Sequence, residues 1–310
     1  MQRTRKAGLL RTRLRRALML GVLGAAVAVT FTSEAAGTPR AAAATTTPAN
    51  TTYYLALGAS ESLGVQPSPA SPRGMPTDHG YANYLVAMEQ SRWPGLQLVH
   101  FGCSGITVEA ALSGGGPCPF PTGSEVAAAV HFLRDHPGQT VLATVDLGFN
   151  DLWPCLVHHT IDAACVSASL VHVAQSLPTI LRDLRAAGGP GLRIVGLQHN
   201  DPYLVRYLRG RTGPAFANAS LGVFRRLNTE LAAIYAGAGV AVANVPSEYG
   251  TAARTPTKLA GHGTVPAGVA ADCTLTWMCV AHNIHPNPAG YQAIAEAIAA
   301  AIPGAAPSSG

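Results

Sequence analysis

The sequence predicts an α/β protein: a three-layer α/β/α fold around a five-stranded parallel sheet. Short apolar runs of strand length alternate with longer segments of helical periodicity. This alternation favours a parallel sheet that helices cover on both faces. The chain has 310 residues and contains no internal repeat, and this length is sufficient for one large domain with a substantial core.

Five apolar runs predict the strands of this sheet, at residues 53–57, 96–101, 141–147, 193–197 and 240–245. Five segments with helical periodicity lie between and after them, at residues 81–89, 124–134, 167–186, 214–236 and 289–302. We expect Pro178 to kink or split the third of these helices, because proline cannot donate the hydrogen bond of a helix interior.

Two segments rich in proline and glycine are predicted to be loops. Residues 66–80 contain four prolines, which indicates an ordered turn or loop. Residues 248–272 form a second long loop. Such loops in compact domains are usually lids or binding loops, and the alternative is a surface excursion held in place by the cysteines beside it.

The first 44 residues have the order of a secretory signal peptide. Seven basic residues within residues 1–16 precede a mostly apolar stretch, 17–32, and a small-residue run, 41–44. This order predicts export with cleavage near Ala44. The competing interpretation is an uncleaved membrane anchor, since the apolar stretch approaches the length of a membrane span. Residues 45–50 are predicted to form a polar linker.

The basic isoelectric point, near 9.0, comes from this leader. Eight of the 21 lysines and arginines lie before residue 45, where Glu34 is the only acid. The remainder of the chain carries 13 basic and 15 acidic residues. Its small negative charge offers no support for nucleic acid as a partner.

All six cysteines lie in the part of the chain that is predicted to be exported. An even number of cysteines in an exported protein favours disulfides, and six cysteines allow 15 pairings. The alternative is metal ligation, but the sequence contains no Cys-x-x-Cys. We therefore expect no metal site and no cofactor.

Ser60 directly follows the first predicted strand, within residues 58–62. Gly58 permits a sharp turn out of the strand, and α/β folds place reactive groups at the carboxyl ends of their strands. The alternative is that Ser60 only caps the helix that follows.

Two further motifs follow at large spacing. Residues 148–151, Gly-Phe-Asn-Asp, come after the third predicted strand, and His285-Pro286 precede the last predicted helix. Alone, the first indicates a turn and the second a surface histidine on a loop, because Pro286 disfavours helix at His285. With Ser60 they supply the nucleophile, oxyanion donor and base that acyl transfer requires.

These motifs resemble the sequence blocks of the SGNH (GDSL) hydrolase superfamily. Residues 58–62 resemble its Gly-Asp-Ser-x-Ser block, with Ala59 in place of the aspartate, and Gly102 matches the glycine after its second strand. Residues 148–151 match its Gly-x-Asn-Asp block in full, and His285-Pro286 match the end of its Asp-x-x-His-Pro block. The sequence pattern around these blocks is similar to that of the secreted actinobacterial branch of the superfamily.

The resemblance implies a flavodoxin-like hydrolase domain at residues 51–302. Residues 303–310 consist of Ala, Pro, Ser and Gly and are predicted to form a flexible tail. It implies that Ser60 is the nucleophile and His285 the base. The oxyanion hole would consist of the main-chain N–H groups of Ser60 and Gly102 and the side-chain amide of Asn150. The resemblance to family members with this sequence pattern also implies three disulfides between neighbouring cysteines: Cys103–Cys118, Cys155–Cys165 and Cys273–Cys279.

The block that ends at His285 lacks its acid. His282 stands where the family has the aspartate that orients the histidine. Asp272 is the nearest upstream carboxylate, and Asp201 follows the fourth predicted strand, so each is a candidate third member or substrate contact. Some family members use a main-chain carbonyl instead, and we expect the carbonyl of His282 or of a neighbour to hold His285.

The resemblance implies a secreted or cell-surface serine esterase or lipase that cleaves carboxylic esters through an acyl-serine. The low aromatic content, 6%, favours short or medium acyl chains over long ones. The alternatives are a carbohydrate O-acetylesterase and, because of Ala59 and the missing acid, a non-catalytic surface-binding module. We expect a small-molecule, lipid or glycan ester as substrate, no stable protein partner, and a monomer.

Overall fold

The computed structural model describes residues 51–156 and 160–304. The predicted signal peptide, the predicted linker and residues 305–310 of the predicted tail lie outside the described residues. The strands are β1 (Tyr53–Gly58), β2 (Gln66–Ser68), β3 (Ser71–Met75), β4 (Gln97–His100), β5 (Thr140–Asp146), β6 (Arg193–Leu197), β7 (Ala241–Ala243), β8 (Pro256–Leu259) and β9 (Gly263–Pro266).

Five of these strands form one parallel sheet in the order β4-β1-β5-β6-β7. When only the sheet strands are counted, this is the flavodoxin-like order 2-1-3-4-5. Along β1, Tyr54 and Ala56 belong to one hydrophobic cluster and Leu55 and Leu57 to another. Both faces of the sheet are therefore buried, which explains why the sequence shows continuous apolar runs.

The α-helices are α1 (Tyr81–Glu89), α2 (Val108–Ser113), α3 (Glu125–Asp135), α4 (Phe149–Leu152), α5 (Ala163–Gly188), α6 (Gly213–Gly237), α7 (Val245–Glu248), α8 (Ala267–Leu275), α9 (Met278–Ala281) and α10 (Pro288–Ala301). Two 3-10 helices lie at Trp153–Leu156 and Pro202–Leu208. Helices α1 and α10 cover one face of the sheet, and α2, α3, α5 and α6 cover the other.

The predicted α/β/α fold is confirmed, and each predicted strand and helix of the sheet layers lies within a few residues of an observed element. Of the two outcomes expected at Pro178, a split of the helix is excluded, since α5 continues through the proline. Leu177, Ile180 and Leu181 are buried around the proline, and this packing stabilises the helix despite the missing hydrogen bond. Helix α5 is also long and apolar enough to cross a membrane, with a mean hydropathy of 1.4, although core helices pass the same test.

The two segments predicted as loops contain regular structure. Residues 66–75 include the antiparallel hairpin of β2 and β3, and residues 256–275 contain the β8–β9 hairpin followed by α8. These short, largely exposed strands are stabilised by backbone pairing, which produces no apolar periodicity for a sequence pattern to detect.

Three disulfides lie in the described part of the chain, and they are the near-neighbour pairs Cys103–Cys118, Cys155–Cys165 and Cys273–Cys279. The last pair closes the segment between α8 and α9, just ahead of the loop that carries His285. Disulfides of this kind fit a protein that functions outside the cytoplasm.

Candidate active site

Ser60 lies on a tight turn that leaves β1 at the carboxyl edge of the sheet. Gly58 has φ 136°, and a Cβ at this position would lie 2.3 Å from the Asp146 carbonyl oxygen. The Ala59 N–H donates to the same carbonyl at 3.1 Å, and the Ser60 carbonyl accepts from Val65 N–H at 3.1 Å. Only glycine fits at the start of this turn, which presents Ser60 beyond the end of the strand.

Two serines occupy the turn, and only one has a free hydroxyl. Ser62 is fully buried, and its Oγ donates to the Ala59 carbonyl at 2.7 Å. Ser60 is half-buried, and its Oγ has no hydrogen-bond partner among the described residues. The structure therefore leaves Ser60, and not Ser62, with a hydroxyl available for chemistry.

Two backbone N–H groups at this edge are also free. Within the described residues, neither Ser60 N–H nor Gly102 N–H donates to another protein atom. A Cβ on Gly102 would lie 2.0 Å from Ser62 Oγ, so this position cannot carry a side chain without displacing the turn. Two unpaired, partly buried backbone donors on the segments that follow β1 and β4, one of them on the residue with the free hydroxyl, suit an oxyanion hole.

Asn150, near the start of α4, carries the third predicted donor. Its Nδ2 donates to the Ile106 carbonyl at 3.1 Å, which uses one of the two amide hydrogens and fixes the side chain. Asp151 follows it, and its carboxylate accepts from Val108 N–H at the start of α2, at 3.1 and 3.3 Å. Asp151 thus holds the loop, and Asn150 retains one hydrogen for another acceptor.

His285 lies on the loop before α10, and the side chain of Asn283 holds it. Asn283 Oδ1 accepts from the His285 backbone N–H at 3.0 Å and lies 2.6 Å from His285 Nδ1. Asn283 Nδ2 donates to the carbonyl oxygens of Pro72 and Arg73 in the β2–β3 hairpin, at 3.1 and 3.2 Å.

These contacts determine the tautomer of His285. Because the Asn283 amide nitrogen faces two carbonyl oxygens, its oxygen must face the imidazole. An amide oxygen only accepts, so Nδ1 carries the proton and Nε2 offers a lone pair. His285 is only 9% exposed, and this burial lowers its pKa to about 4. At neutral pH the ring is uncharged and able to accept a proton.

The expected main-chain acceptor for His285 is therefore replaced by a side chain. The Nδ1 partner is Asn283 Oδ1, not the carbonyl of His282 or a neighbour. His282 itself is exposed, has φ 51°, and its Nδ1 accepts from Arg209 at 2.9 Å. The family spacing directed attention to position 282, so sequence reasoning missed Asn283, whose only signal is an acceptor side chain two residues before the histidine.

Neither carboxylate proposed as a third member contacts His285. Asp272 points from α8 toward Asn200, whose Nδ2 donates to it at 3.4 Å. Asp201 is fully buried, and its oxygens accept from Tyr203 N–H at 3.0 Å and Ser220 Oγ at 2.8 Å. Burial raises the pKa of Asp201 to about 7. Among the described residues, no hydrogen bond or ion pair joins either aspartate to His285.

The histidine loop is attached to the segment that follows the Ser60 turn. Tyr291 Oη, in α10, donates to the Val65 carbonyl at 2.8 Å, and Val65 N–H in turn donates to the Ser60 carbonyl. Trp277 bridges the same two parts of the chain, since its Nε1 donates to Gln66 Oε1 at 3.3 Å and its backbone N–H donates to the His285 carbonyl at 2.9 Å. Short hydrogen-bonded paths thus connect Ser60 with His285.

Comparison with known proteins identifies the family of this chain. The model of the GDSL-like Lipase/Acylhydrolase family matches residues 56–293, whereas no curated protein matches the sequence. A structure described as a GDSL-like lipase from Parabacteroides merdae has a TM-score of 0.50 at 15% identity, covering 81% of this chain and 94% of that one.

Two other solved structures have similar coverage. Phospholipase A1 from Streptomyces albidoflavus has a TM-score of 0.49 at 18% identity, covering 80% of this chain and 99% of its own. A variant of an acetylxylan esterase from Geobacillus stearothermophilus has a TM-score of 0.48 at 15% identity, covering 81% and 94%. Because the family model spans most of the chain, from the Ser60 turn into α10, this protein belongs to the GDSL-like lipase/acylhydrolase family and is a carboxylic ester hydrolase of the SGNH type.

Proposed function

We propose that this protein hydrolyses carboxylic esters through an acyl-serine intermediate on Ser60, with His285 as general base and Asn283 as the residue that positions it. The observation that carries the proposal is the 2.6 Å contact between His285 Nδ1 and Asn283 Oδ1. It leaves the lone pair on Nε2, and burial keeps that nitrogen unprotonated at neutral pH.

The reaction begins when Nε2 of His285 removes the proton from Ser60 Oγ, which attacks the ester carbonyl carbon. The N–H groups of Ser60 and Gly102 and the remaining amide hydrogen of Asn150 stabilise the negative charge that develops on the carbonyl oxygen. The imidazolium then gives its proton to the departing alcohol. Water, deprotonated by the same nitrogen, attacks the acyl-serine; the bond to Ser60 Oγ breaks, the imidazolium returns its proton to that oxygen, and the acid is released.

A neutral amide in the third position changes the energetics of this mechanism. A triad carboxylate both orients the imidazole and stabilises its charged form. Asn283 supplies orientation and a hydrogen-bond acceptor but no negative charge. We therefore expect a slower enzyme than a relative with an aspartate in this role, with the same sequence of covalent steps.

We further propose that the substrates are esters of short or medium acyl chains, that residues 1–44 direct export, and that the protein acts as a monomer outside the cytoplasm. The low aromatic content supports the first point and the three disulfides support the second. Rates on p-nitrophenyl esters of increasing chain length, compared with rates on acetylated sugars, separate a general esterase from a carbohydrate O-acetylesterase.

A fluorophosphonate probe tests the nucleophile. We expect one covalent adduct on the peptide that contains Ser60, and no adduct in Ser60→Ala. The matched control is Ser62→Ala, because Ser62 lies on the same turn but uses its hydroxyl within the protein. Ser62→Ala should still be labelled on Ser60. Labelling of Ser62 in the unaltered protein, or no labelling of correctly folded protein, would contradict the proposal.

A further inference from the structure

A second cluster of polar groups lies at the carboxyl edge of the sheet, next to the Ser60 turn. Glu61 follows Ser60, Asp146 ends β5, and His199 follows the adjacent strand β6. One carboxylate oxygen from each acid and one imidazole nitrogen all lie within 4.8 Å of one another. Asp146 and His199 are almost completely buried, at 2% and 3% exposure, whereas Glu61 is partly exposed.

The orientation of His199 is set by the backbone. Its Nε2 lies 3.0 Å from the Leu147 carbonyl oxygen, which can only accept, so Nε2 carries the proton. Nδ1 then presents a lone pair toward Asp146, whose Oδ1 is 3.7 Å away. This separation is too long for a hydrogen bond. Burial lowers the pKa of His199 to about 4, which opposes a second proton on the ring.

The two carboxyl groups also lack donors. Asp146 Oδ2 is buried and has no hydrogen-bond partner, and Glu61 makes no side-chain hydrogen bond within the described residues. No lysine or arginine in the described part of the chain forms a salt bridge with either group. The Tyr81 hydroxyl is close enough to lower the pKa of Asp146 against the larger effect of burial, but it forms no hydrogen bond of ordinary geometry.

The cluster is therefore a set of acceptors that face one another. Buried polar atoms are costly unless they are paired, and two carboxylates side by side repel each other. The Tyr81 hydroxyl has a single proton to donate, so protons, water or a cation must satisfy the rest of the set. Two carboxylate oxygens and one neutral imidazole are a ligand combination that zinc and manganese accept. Ligands about 2.1 Å from a tetrahedral ion are about 3.4 Å apart, which is close to the 3.7 Å between His199 and Asp146.

We propose that Glu61, Asp146 and His199 bind one divalent transition-metal ion, Zn²⁺ or Mn²⁺, through two carboxylate oxygens and His199 Nδ1. The site joins the Ser60 turn to the ends of β5 and β6, so its role is to fix that turn within the sheet. The proposed ester chemistry on Ser60 and His285 requires no ion. This inference departs from the expectation, drawn from the cysteine pattern, that the chain has no metal site.

Metal titration of the full chain tests the proposal. After treatment with a chelator, the protein should bind one equivalent of Zn²⁺ or Mn²⁺ in calorimetry and retain it through gel filtration. At a free concentration about 100-fold above the Kd, the Tm should rise by about 5–10 °C. Ca²⁺ and Mg²⁺ are the comparison ions, and neither should bind at similar affinity, because the buried imidazole disfavours them.

Variants locate the ion. Glu61→Gln replaces the carboxylate by a neutral amide at a side chain that makes no hydrogen bond among the described residues, so the variant should fold, and it should weaken binding at least tenfold. Asp146→Asn should do the same. The control is Glu125→Gln, because Glu125 is also buried but accepts from the Gly58 N–H at 2.6 Å. Metal binding by this variant should be unchanged.

The absence of stoichiometric metal binding in the unaltered protein would show that protons or water fill the cluster. Unchanged binding in both Glu61→Gln and Asp146→Asn would place the ion elsewhere. Each result would overturn the proposal, and neither would alter the fluorophosphonate result for Ser60.

Discussion

Replacement of Asn283 by alanine is expected to lower kcat/KM by about 5- to 150-fold while the protein remains folded. The change removes two hydrogen bonds that hold His285, one to its backbone N–H and one to Nδ1. Each is worth about 0.5–1.5 kcal/mol. If the transition state loses the whole of this stabilisation, about 1–3 kcal/mol, kcat/KM falls by about 5- to 150-fold, because about 1.36 kcal/mol corresponds to a factor of ten in rate.

Asn283→Ala should lower stability by about 1–3 kcal/mol without unfolding the protein, because Asn283 is buried and its loss leaves the buried His285 backbone N–H unpaired. At the exposed carbonyl oxygens of Pro72 and Arg73, water can replace the amide. The matched control is Asn287→Ala in the same loop. Asn287 caps α10 through Gly290 N–H at 3.1 Å and donates to the Thr274 carbonyl at 2.7 Å, without contacting His285. It should lower the Tm but leave kcat/KM within about threefold of the unaltered protein.

The pH dependence of kcat/KM distinguishes a positioning role of Asn283 from a purely structural one. Asn283→Asp retains an acceptor for Nδ1 and adds a negative charge, which raises the pKa of His285. The acid limb of kcat/KM should therefore move to higher pH, whereas Asn283→Ala has no added charge to move it in that direction. Steady-state kinetics on p-nitrophenyl acetate between pH 3.5 and 8, with circular dichroism at each pH, provide the measurement. Full activity in Asn283→Ala, or an unmoved limb in Asn283→Asp, would refute the assigned role.

Four further outcomes follow from the same geometry. In the unaltered protein kcat/KM should rise with pH around 4, because His285 must lose its proton to act and its pKa is about 4; a limb near 6.5, the usual histidine value, would contradict this. Between about pH 6.5 and 4, His285 binds a proton in the unfolded chain but not in the folded protein, so the protein loses stability as the pH falls through this range. His285→Gln should therefore reduce the fall in Tm between pH 6.5 and 4, which calorimetry can follow. Gly102→Ala should lower kcat about 100-fold or more, since its Cβ would lie 2.0 Å from Ser62 Oγ; a rate within tenfold would argue against Gly102 as an oxyanion donor. Asp272→Asn should change kcat less than tenfold, because Asp272 contacts Asn200 and not His285, and a loss near ten-thousandfold, typical of a triad aspartate, would restore it as the third member.

The sheet and its long helices were predictable because burial on both faces produces patterns that a sequence shows directly. The run from Tyr54 to Leu57 is completely buried, and the helical segments follow it at the spacing of a parallel fold. The positions of Ser60 and Asn150 just beyond strand ends were predictable for the same reason, since the apolar runs before them show where β1 and β5 end. The β2–β3 and β8–β9 hairpins were not, because pairing between short exposed strands depends on backbone geometry.

The supporting residues of the site were harder to predict. The side chain of Asn283 reaches His285 because the loop between them turns back on itself. Its amide nitrogen is held by hydrogen bonds to carbonyl oxygens of the β2–β3 hairpin. The cluster of Glu61, Asp146 and His199 forms from three strand ends that adjoin in the sheet. The strand order makes these positions neighbours, but which side chains turn inward is decided by packing, and a single sequence carries no signal for that.

Trapping the acyl-enzyme tests the central claim most directly. The protein is mixed with p-nitrophenyl acetate, quenched in acid within milliseconds to seconds, and analysed by intact and peptide mass spectrometry. We predict an acetyl group on the peptide that contains Ser60, formed at the rate of the p-nitrophenol burst, and its absence from Ser60→Ala. Turnover without an acyl adduct at any quench time, or an adduct that forms at this rate on another residue, would contradict the account.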